Sequence, residues 1–429
     1  MKSSLTASAL GLLLTFSSSA QLTVHEWGTF TQVIGSDGTV LEGLEREEEA
    51  LPQFVYGHYG LENGGSIQLA TPSAETARRA FLPLHLNIVR KGSNRPVKGV
   101  TTKMETPVIY FYSDEAVQAE VDVKWHGGSI SQWYPRRTSG ETPPPLKPNS
   151  PKNDNDNAFI KAFEARGGID FTKGYQGSVS WEIEVAAKNQ FDQADLFKGN
   201  ETVSWLHPRV PDASVVTSGS ESEGYLFYRG IGQLDSGIHF DIDQSNTLTI
   251  SNTLAHDVPF AMIFENDGSK VRSSVITNGV TAGTSLTIPD SDLTDLGAIN
   301  TNWQSTVYRQ MRAGLLASGL FQEEAEAMIQ TWWSSYFAKP SSPSSVRVFW
   351  ILPTAQVNEV LPLNITPIPE KTVRVLVGRA EVLRPSAERA LMAMERNPQG
   401  FPAKIAHDRF ALAYRNRINQ LESSAKITP

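Results

Sequence analysis

Apolar and polar side chains alternate along much of the chain with the period of a β-strand. Residues 22–34 (LTVHEWGTFTQVI) are rich in β-branched and aromatic side chains and predict a strand. Strand patterns follow at 85–90, 108–112 and 119–125. In the last of these, Val121, Val123 and Trp125 alternate with charged residues, as in a half-buried strand. Residues 130–134 are expected to pair back on it across the Gly127-Gly128 turn. A further strand is expected at 178–185. A second block holds short strands at 225–229, 238–242, 247–252, 259–265, 274–277 and 285–288. Turn residues recur there at roughly 8–12-residue spacing, the usual sign of an antiparallel sandwich. Strands return at 346–352, 361–366 and 372–383.

Elsewhere the period changes to that of a helix. Val307, Met311 and Leu315 fall on one helical face, and Gly319 stands where a C-cap is expected. Ala325, Met328, Ile329, Trp332 and Tyr336 mark a second helix, so about 291–338 reads as a helical hairpin. Two C-terminal helices are expected at 386–395 and 403–421, the second with an apolar stripe of Ile405, Phe410, Tyr414, Ile418 and Leu421. Short helices are expected at 73–82 and 158–166, and 138–157 is a Pro/Asn/Asp-rich loop. The expected fold is therefore mainly β, with antiparallel sandwich-like sheets and a helical hairpin and C-terminal helices packed against them. Its parts would be an N-terminal β-rich domain over 21–215, a second sandwich-like domain over 216–384, and C-terminal helices over 385–429.

The first twenty residues change the picture of where the protein works. Lys2, the apolar run at 9–16 and the small residues Ser18, Ser19 and Ala20 have the form of a secretory signal, cleaved after Ala20. The run is too short to span a bilayer, and no later stretch approaches eighteen apolar residues. The expected product is exported, periplasmic or extracellular, and not an integral membrane protein. Cysteine is absent from the 429 residues. That excludes disulfides, Cys-ligated zinc, thiolate nucleophiles, iron–sulfur centres and a lipidated N-terminus together. Lys and Arg number 38 against 46 Asp and Glu, a net charge of -8. Removal of the first twenty residues makes it one unit more negative. Nucleic acid is thus not an expected partner, since binding it needs a basic face.

Candidate chemistry is sparse. His25-Glu26 does not extend to HExxH, and neither a GxSxG elbow nor a Walker A loop is present. Gly230-Ile-Gly232 lacks a third glycine and a βαβ context. The run 241–247 resembles the first half of a calcium loop, but such a loop needs Gly at 246 and Glu at 252, and the chain has Asn at both. Asn153 to Asn157 offers oxygen ligands in what reads as a flexible loop. No cofactor is expected from motifs, although a divalent metal is possible. The chain has eight histidines without paired metal spacing. On a strand, His25 and Trp27 share one face and Glu26 takes the other. A metal centre would have to gather distant groups among His25, His58, Glu105, His126 and His207. Glu105 precedes Pro107, which should hold Thr106 extended. Arg229, Arg374 and Arg379 are candidate partners for a buried Glu105. Trp133, Tyr134 and Trp332 are the aromatics that, if exposed, would stack on a polysaccharide or grip a protein ligand. Trp332 and Trp333 cannot both face one core.

Four strings stand out: 24–31 (VHEWGTFT), 103–112 (KMETPVIYFY), 226–232 (LFYRGIG) and 373–379 (VRVLVGR). They resemble an uncharacterised family of exported bacterial proteins that begin with the same His-Glu-Trp-Gly-Thr-Phe-Thr segment. The resemblance implies one integrated exported protein and carries over no catalytic residue. In that family a His follows soon after Phe-Val. Here Tyr56 takes that place and His58 comes two residues later, which weighs against a metal role for His58. The leading expectation is an exported, non-enzymatic binding or structural protein. The alternative is a metal-dependent hydrolase with His and carboxylate ligands from separated strands.

Overall fold

Strand Thr23–Ile34 is apolar or shielded on both faces, which suits the middle of a sheet covered on both sides. In the computed structural model it lies near the centre of a ten-stranded sheet. Lys371–Leu383 pairs with it in parallel and Thr102–Tyr112 antiparallel. Beyond Thr102–Tyr112 come Leu226–Gly232, Gly128–Tyr134 and the short Tyr56–Gly57; on the other side follow Ser345–Ile351, Ala261–Asn266, Lys270–Ile276 and Thr294–Ala298. The structure describes residues 21–46, 51–58, 97–143, 168–188, 190–191, 193–199, 201–341, 344–395 and 408–427. The expected signal segment, the elements expected at 73–82, 85–90 and 158–166, and residues 144–157 of the Pro-rich loop fall outside them.

The chain is mainly β, as its alternation indicates. The four strings 24–31, 103–112, 226–232 and 373–379 lie on four strands that are adjacent in this sheet. Strands from both sides of residue 215 share it, so the division into 21–215 and 216–384 does not follow sheet boundaries. A parallel pair between the first and last long strands joins distant parts of the chain, and no local pattern announces such a pair.

Even-numbered positions of Thr23–Ile34 face two smaller sheets. One is built on Gln176–Val185 and Val117–His126, the other on Ile238–Ile242, Leu248–Asn252 and Ser285–Ile288. Val24, Phe30, Trp125, Trp181, Phe240 and Trp350 join this core. Odd positions face a helical layer of Gln304–Ala317 and Gln322–Trp333, where Trp27 shares one core with Val307, Met311, Met328 and Trp332. The C-terminal helix Ala411–Ile427 covers one end, with Phe410, Tyr414 and Ile418 buried. Leu421 of the expected stripe is half-buried, and Ile405 lies outside the described residues. Gly319 ends the first hairpin helix at φ 100°, the left-handed conformation glycine adopts freely. Trp332 is the buried member of the Trp pair, while half-buried Trp333 stacks on Trp303 at 5.9 Å.

Three local expectations are corrected. Residues 130–134 do not form a hairpin with 119–125. At Gly127 (φ 108°) the chain leaves the six-stranded sheet, and Gly128–Tyr134 pairs instead with Leu226–Gly232. The hairpin insert starts later than 291, because Thr294–Ala298 is an edge strand on Lys270–Ile276. Thr106 is not extended before Pro107. Its φ is 47°, and residues 106–107 bulge opposite Gly28, where the register shifts between Trp27 and Thr29. Proline is tolerated at such a bulge because it donates no ladder hydrogen bond.

Two glycines make room for neighbours. A Cβ at Gly28 would stand 3.0 Å from three atoms of Pro107, and one at Gly378 would stand 2.3 Å from the Trp350 ring. Trp350 lies across Gly378 and meets Phe30 edge-on at 5.4 Å. Gly378→Ala is expected to destabilise the fold by about 2–3 kcal/mol, since overpacking shifts a rigid ring in a filled core. A urea midpoint unchanged within error would contradict this.

Near the sheet edge Asp290 accepts hydrogen bonds from Arg272 and Arg384. The Arg272 bond, followed by Arg384, holds the Asp290 carboxyl at about 2. A lowered folded value stabilises the fold above the unfolded pKa, and this contribution is lost as pH falls from about 4 to about 2. Asp290→Asn is therefore expected to flatten part of the loss of Tm over that window. A wild-type acid limb reproduced by the variant would count against it.

Candidate functional site

Because His25 is odd-numbered, it enters the helical layer. It is fully buried, and its Nδ1 lies 2.9 Å from Glu324 Oε2. Glu324 sits in the first turn of helix Gln322–Trp333. It also accepts the Phe321 backbone N–H at 2.7 Å and the Tyr112 hydroxyl at 2.7 Å. Burial, then the Glu324 charge, push the Tyr112 phenol far above its ordinary value, so it remains a donor. With a carboxylate accepting at Nδ1, that nitrogen carries the proton. Nε2 has no partner, and the ring is packed against Phe321 and Tyr112. A carboxylate-oriented imidazole with a free Nε2 can take a proton or bind one metal coordination site.

Glu26 projects the other way, into the core between sheets. Tyr228 donates its hydroxyl to Oε1 and Arg374 donates Nε to Oε2, both at 2.6 Å. Arg374 reaches on to Asn358 at 2.8 Å. The parallel register places Glu26 and Arg374 side by side. His25 and Glu26 thus occupy opposite faces, as their spacing predicts.

Glu105 lies on the helical face with Lys103 Nζ at 3.2 Å from its Oε1, and both side chains are buried. None of the three expected arginines forms this ion pair. Arg374 serves Glu26, Arg379 serves Glu381, and Arg229 donates Nε to Gln132 at 2.6 Å. His126 is exposed at the end of a strand in the six-stranded sheet. His58 instead reaches Glu141 at 2.9 Å, and Glu141 also accepts Ser129 Oγ and the backbone N–H groups of Ile130 and Ser178. That carboxylate ties the two large sheets together. Half-buried His207 has its pKa lowered by desolvation. Among the described residues, no group of three or more His, Asp or Glu comes together as metal ligands.

The aromatic expectation is corrected outright. Trp133, Tyr134 and Trp332 are only 6%, 1% and 2% exposed. Trp133 lies beneath His58 and the Arg137 guanidinium, Tyr134 packs on Phe54 and Trp205, and Trp332 stacks on Tyr336. Large apolar side chains are exposed elsewhere, at Phe197, Val203, Val210 and Phe321 among others. Sequence reasoning missed Glu324, Glu141, Tyr228 and Glu381. Glu324 closes half a capping box, but Phe321 in the N-cap place removes the usual Ser/Thr/Asp signal. The partners of the other three come from distant parts of the chain or depend on which face a strand buries.

No protein-family model matches the chain, and no curated protein matches it. Among the described residues, no helix is long and apolar enough to cross a membrane.

Proposed function

We propose that the protein is an exported, non-enzymatic binding or structural protein. One observation carries this reading: the charged residues that chemistry would need are consumed in buried pairs, two of them between separate elements and one within a strand. His25 is held by Glu324, Glu26 by Arg374 and Tyr228, and Glu105 by Lys103. Such groups support packing, and among the described residues no group of three or more His, Asp or Glu comes together as metal ligands. With Trp133, Tyr134 and Trp332 buried, stacking on a polysaccharide through these three rings has no support. Gripping a protein ligand through the same three rings loses its support equally.

The alternative, a metal-dependent hydrolase, keeps one supporting observation, the buried and unpartnered His25 Nε2. Metal analysis of the purified protein separates the two. The binding or structural reading expects no stoichiometric divalent metal and a Tm unchanged by chelator. Near-stoichiometric zinc or another divalent metal, lost in His25→Ala or Glu105→Ala, would overturn it. Export expects a processed chain whose intact mass begins at Gln21. Retention of residues 1–20 in the cytoplasm would overturn that part.

A further inference from the structure

The helical face of the ten-stranded sheet buries more guanidinium charge than its nearest carboxylate can neutralise. Strand register sets Phe349, Arg379, Thr31 and Lys103 side by side across four strands. One row further, Arg347 lies opposite Glu381. Arg347, Arg379 and Lys103 are all fully buried. Glu381 Oε1 accepts Arg347 Nε at 2.8 Å and Arg379 Nη2, and Arg409 Nη2 approaches it at 3.6 Å. Its other oxygen accepts Ser345 Oγ at 2.5 Å. Among the described residues, Glu381 is the only carboxylate that forms an ion pair with Arg347 or Arg379.

The roof of this region comes from Ser334–Ala338 and from Phe410. Arg379 lies 4.5 Å from the Tyr336 ring centroid and 5.6 Å from that of Phe410. Lys103 and Arg409 approach the same Phe410 ring at 5.0 and 4.9 Å. Three cationic heads therefore converge on one side chain. Arg379 Nε and Nη1 have no hydrogen-bond acceptor, and Ser335 Oγ has no partner. Thr31 Oγ1 lies by the Tyr336 hydroxyl, which donates to Thr29 Oγ1, and no partner meets Thr31 Oγ1 in good hydrogen-bond geometry.

A guanidinium does not discharge by losing its proton at physiological pH. Two such groups sharing one carboxylate leave a positive charge out of water, and burying an uncompensated ion carries a heavy desolvation penalty. A water molecule would satisfy the free N–H and O–H groups but not the charge. From this geometry we infer a buried site for a small inorganic anion, held by Arg379 Nε and Nη1 with the hydroxyls of Ser335 and Thr31. The adjacent Lys103–Glu105 pair is neutral as a unit and bounds the site. This inference goes beyond the proposed binding or structural role and does not depend on it.

The test uses the purified full chain exchanged into a gluconate buffer. Ion chromatography after denaturation reads any retained chloride, phosphate or sulfate. Tm is then followed while each of the three is titrated in at constant ionic strength. The expected result is either about one equivalent of a single anion released on unfolding, or a saturable rise in Tm for that anion. Ser335→Ala should raise the half-saturating concentration about tenfold through loss of a hydrogen bond to a charged group, and Thr31→Val should act in the same direction. Arg379→Met should abolish the response; if that variant does not fold, the two hydroxyl variants carry the test. Absence of both a released anion and a saturable response would overturn the inference. So would an equal response to all three salts that the variants leave unchanged.

Discussion

Glu381→Ala is expected to lower stability by about 3–5 kcal/mol, the loss typical of removing one partner from a buried ion pair. The reason lies in how many cations this carboxylate serves. Arg347, Arg379 and Arg409 all direct charge at it, and Ser345 donates to it. These arginines hold the Glu381 carboxyl far below its ordinary value despite complete burial. Its removal leaves fully buried guanidiniums facing one another between the sheet and its helical cover. Urea unfolding should show the midpoint falling sharply, or no folded protein at all. A variant within about 1 kcal/mol of wild type would mean that these arginines are neutralised by some other route.

The second large effect is expected at Glu26. Glu26→Ala should also lose about 3–5 kcal/mol, because Arg374 then keeps its charge in the core between the sheets without a counter-charge. The double variant Glu26→Leu/Arg374→Met separates packing from charge. Replacing both partners of a buried pair by apolar groups is often close to neutral. Most of the loss should therefore be recovered, less a remainder of about 1–3 kcal/mol for a Tyr228 hydroxyl left unsatisfied. Urea midpoints of Glu26→Leu, Arg374→Met and the double variant give the coupling directly. Strict additivity would show that Glu26 and Arg374 do not act as a pair. Retained stability in Glu26→Ala would point to a dispensable carboxylate, and so revive a functional role for it.

Much of the local structure was legible from residue order. Val307, Met311 and Leu315 are buried on one helical face, and Gly319 does terminate that helix. Alternation in 119–125 matches the buried and exposed positions of Val117–His126. The opposition of His25 and Glu26 followed from strand geometry alone. Where reading failed, the deciding contact was distant or unusual. Pro107 does restrict its neighbour, yet the bulge opposite Gly28 places Thr106 in a left-handed conformation instead. Trp133 and Tyr134 sit beside a glycine turn that suggested a surface, but Gly128–Tyr134 belongs to a buried strand of the large sheet.

Residue order by itself determined the strand and helix types, the absence of any thiol chemistry and the acidic balance, because each depends on composition or on a period of a few residues. Only the tertiary structure decided which carboxylate meets which cation. Glu26 and Arg374, or His25 and Glu324, are brought together by a parallel strand pair and a helix packed across it. Many register choices preserve the same alternation of buried and exposed positions. The one adopted is selected by summed packing over the whole sheet, and that sum is not written in any short stretch of the chain.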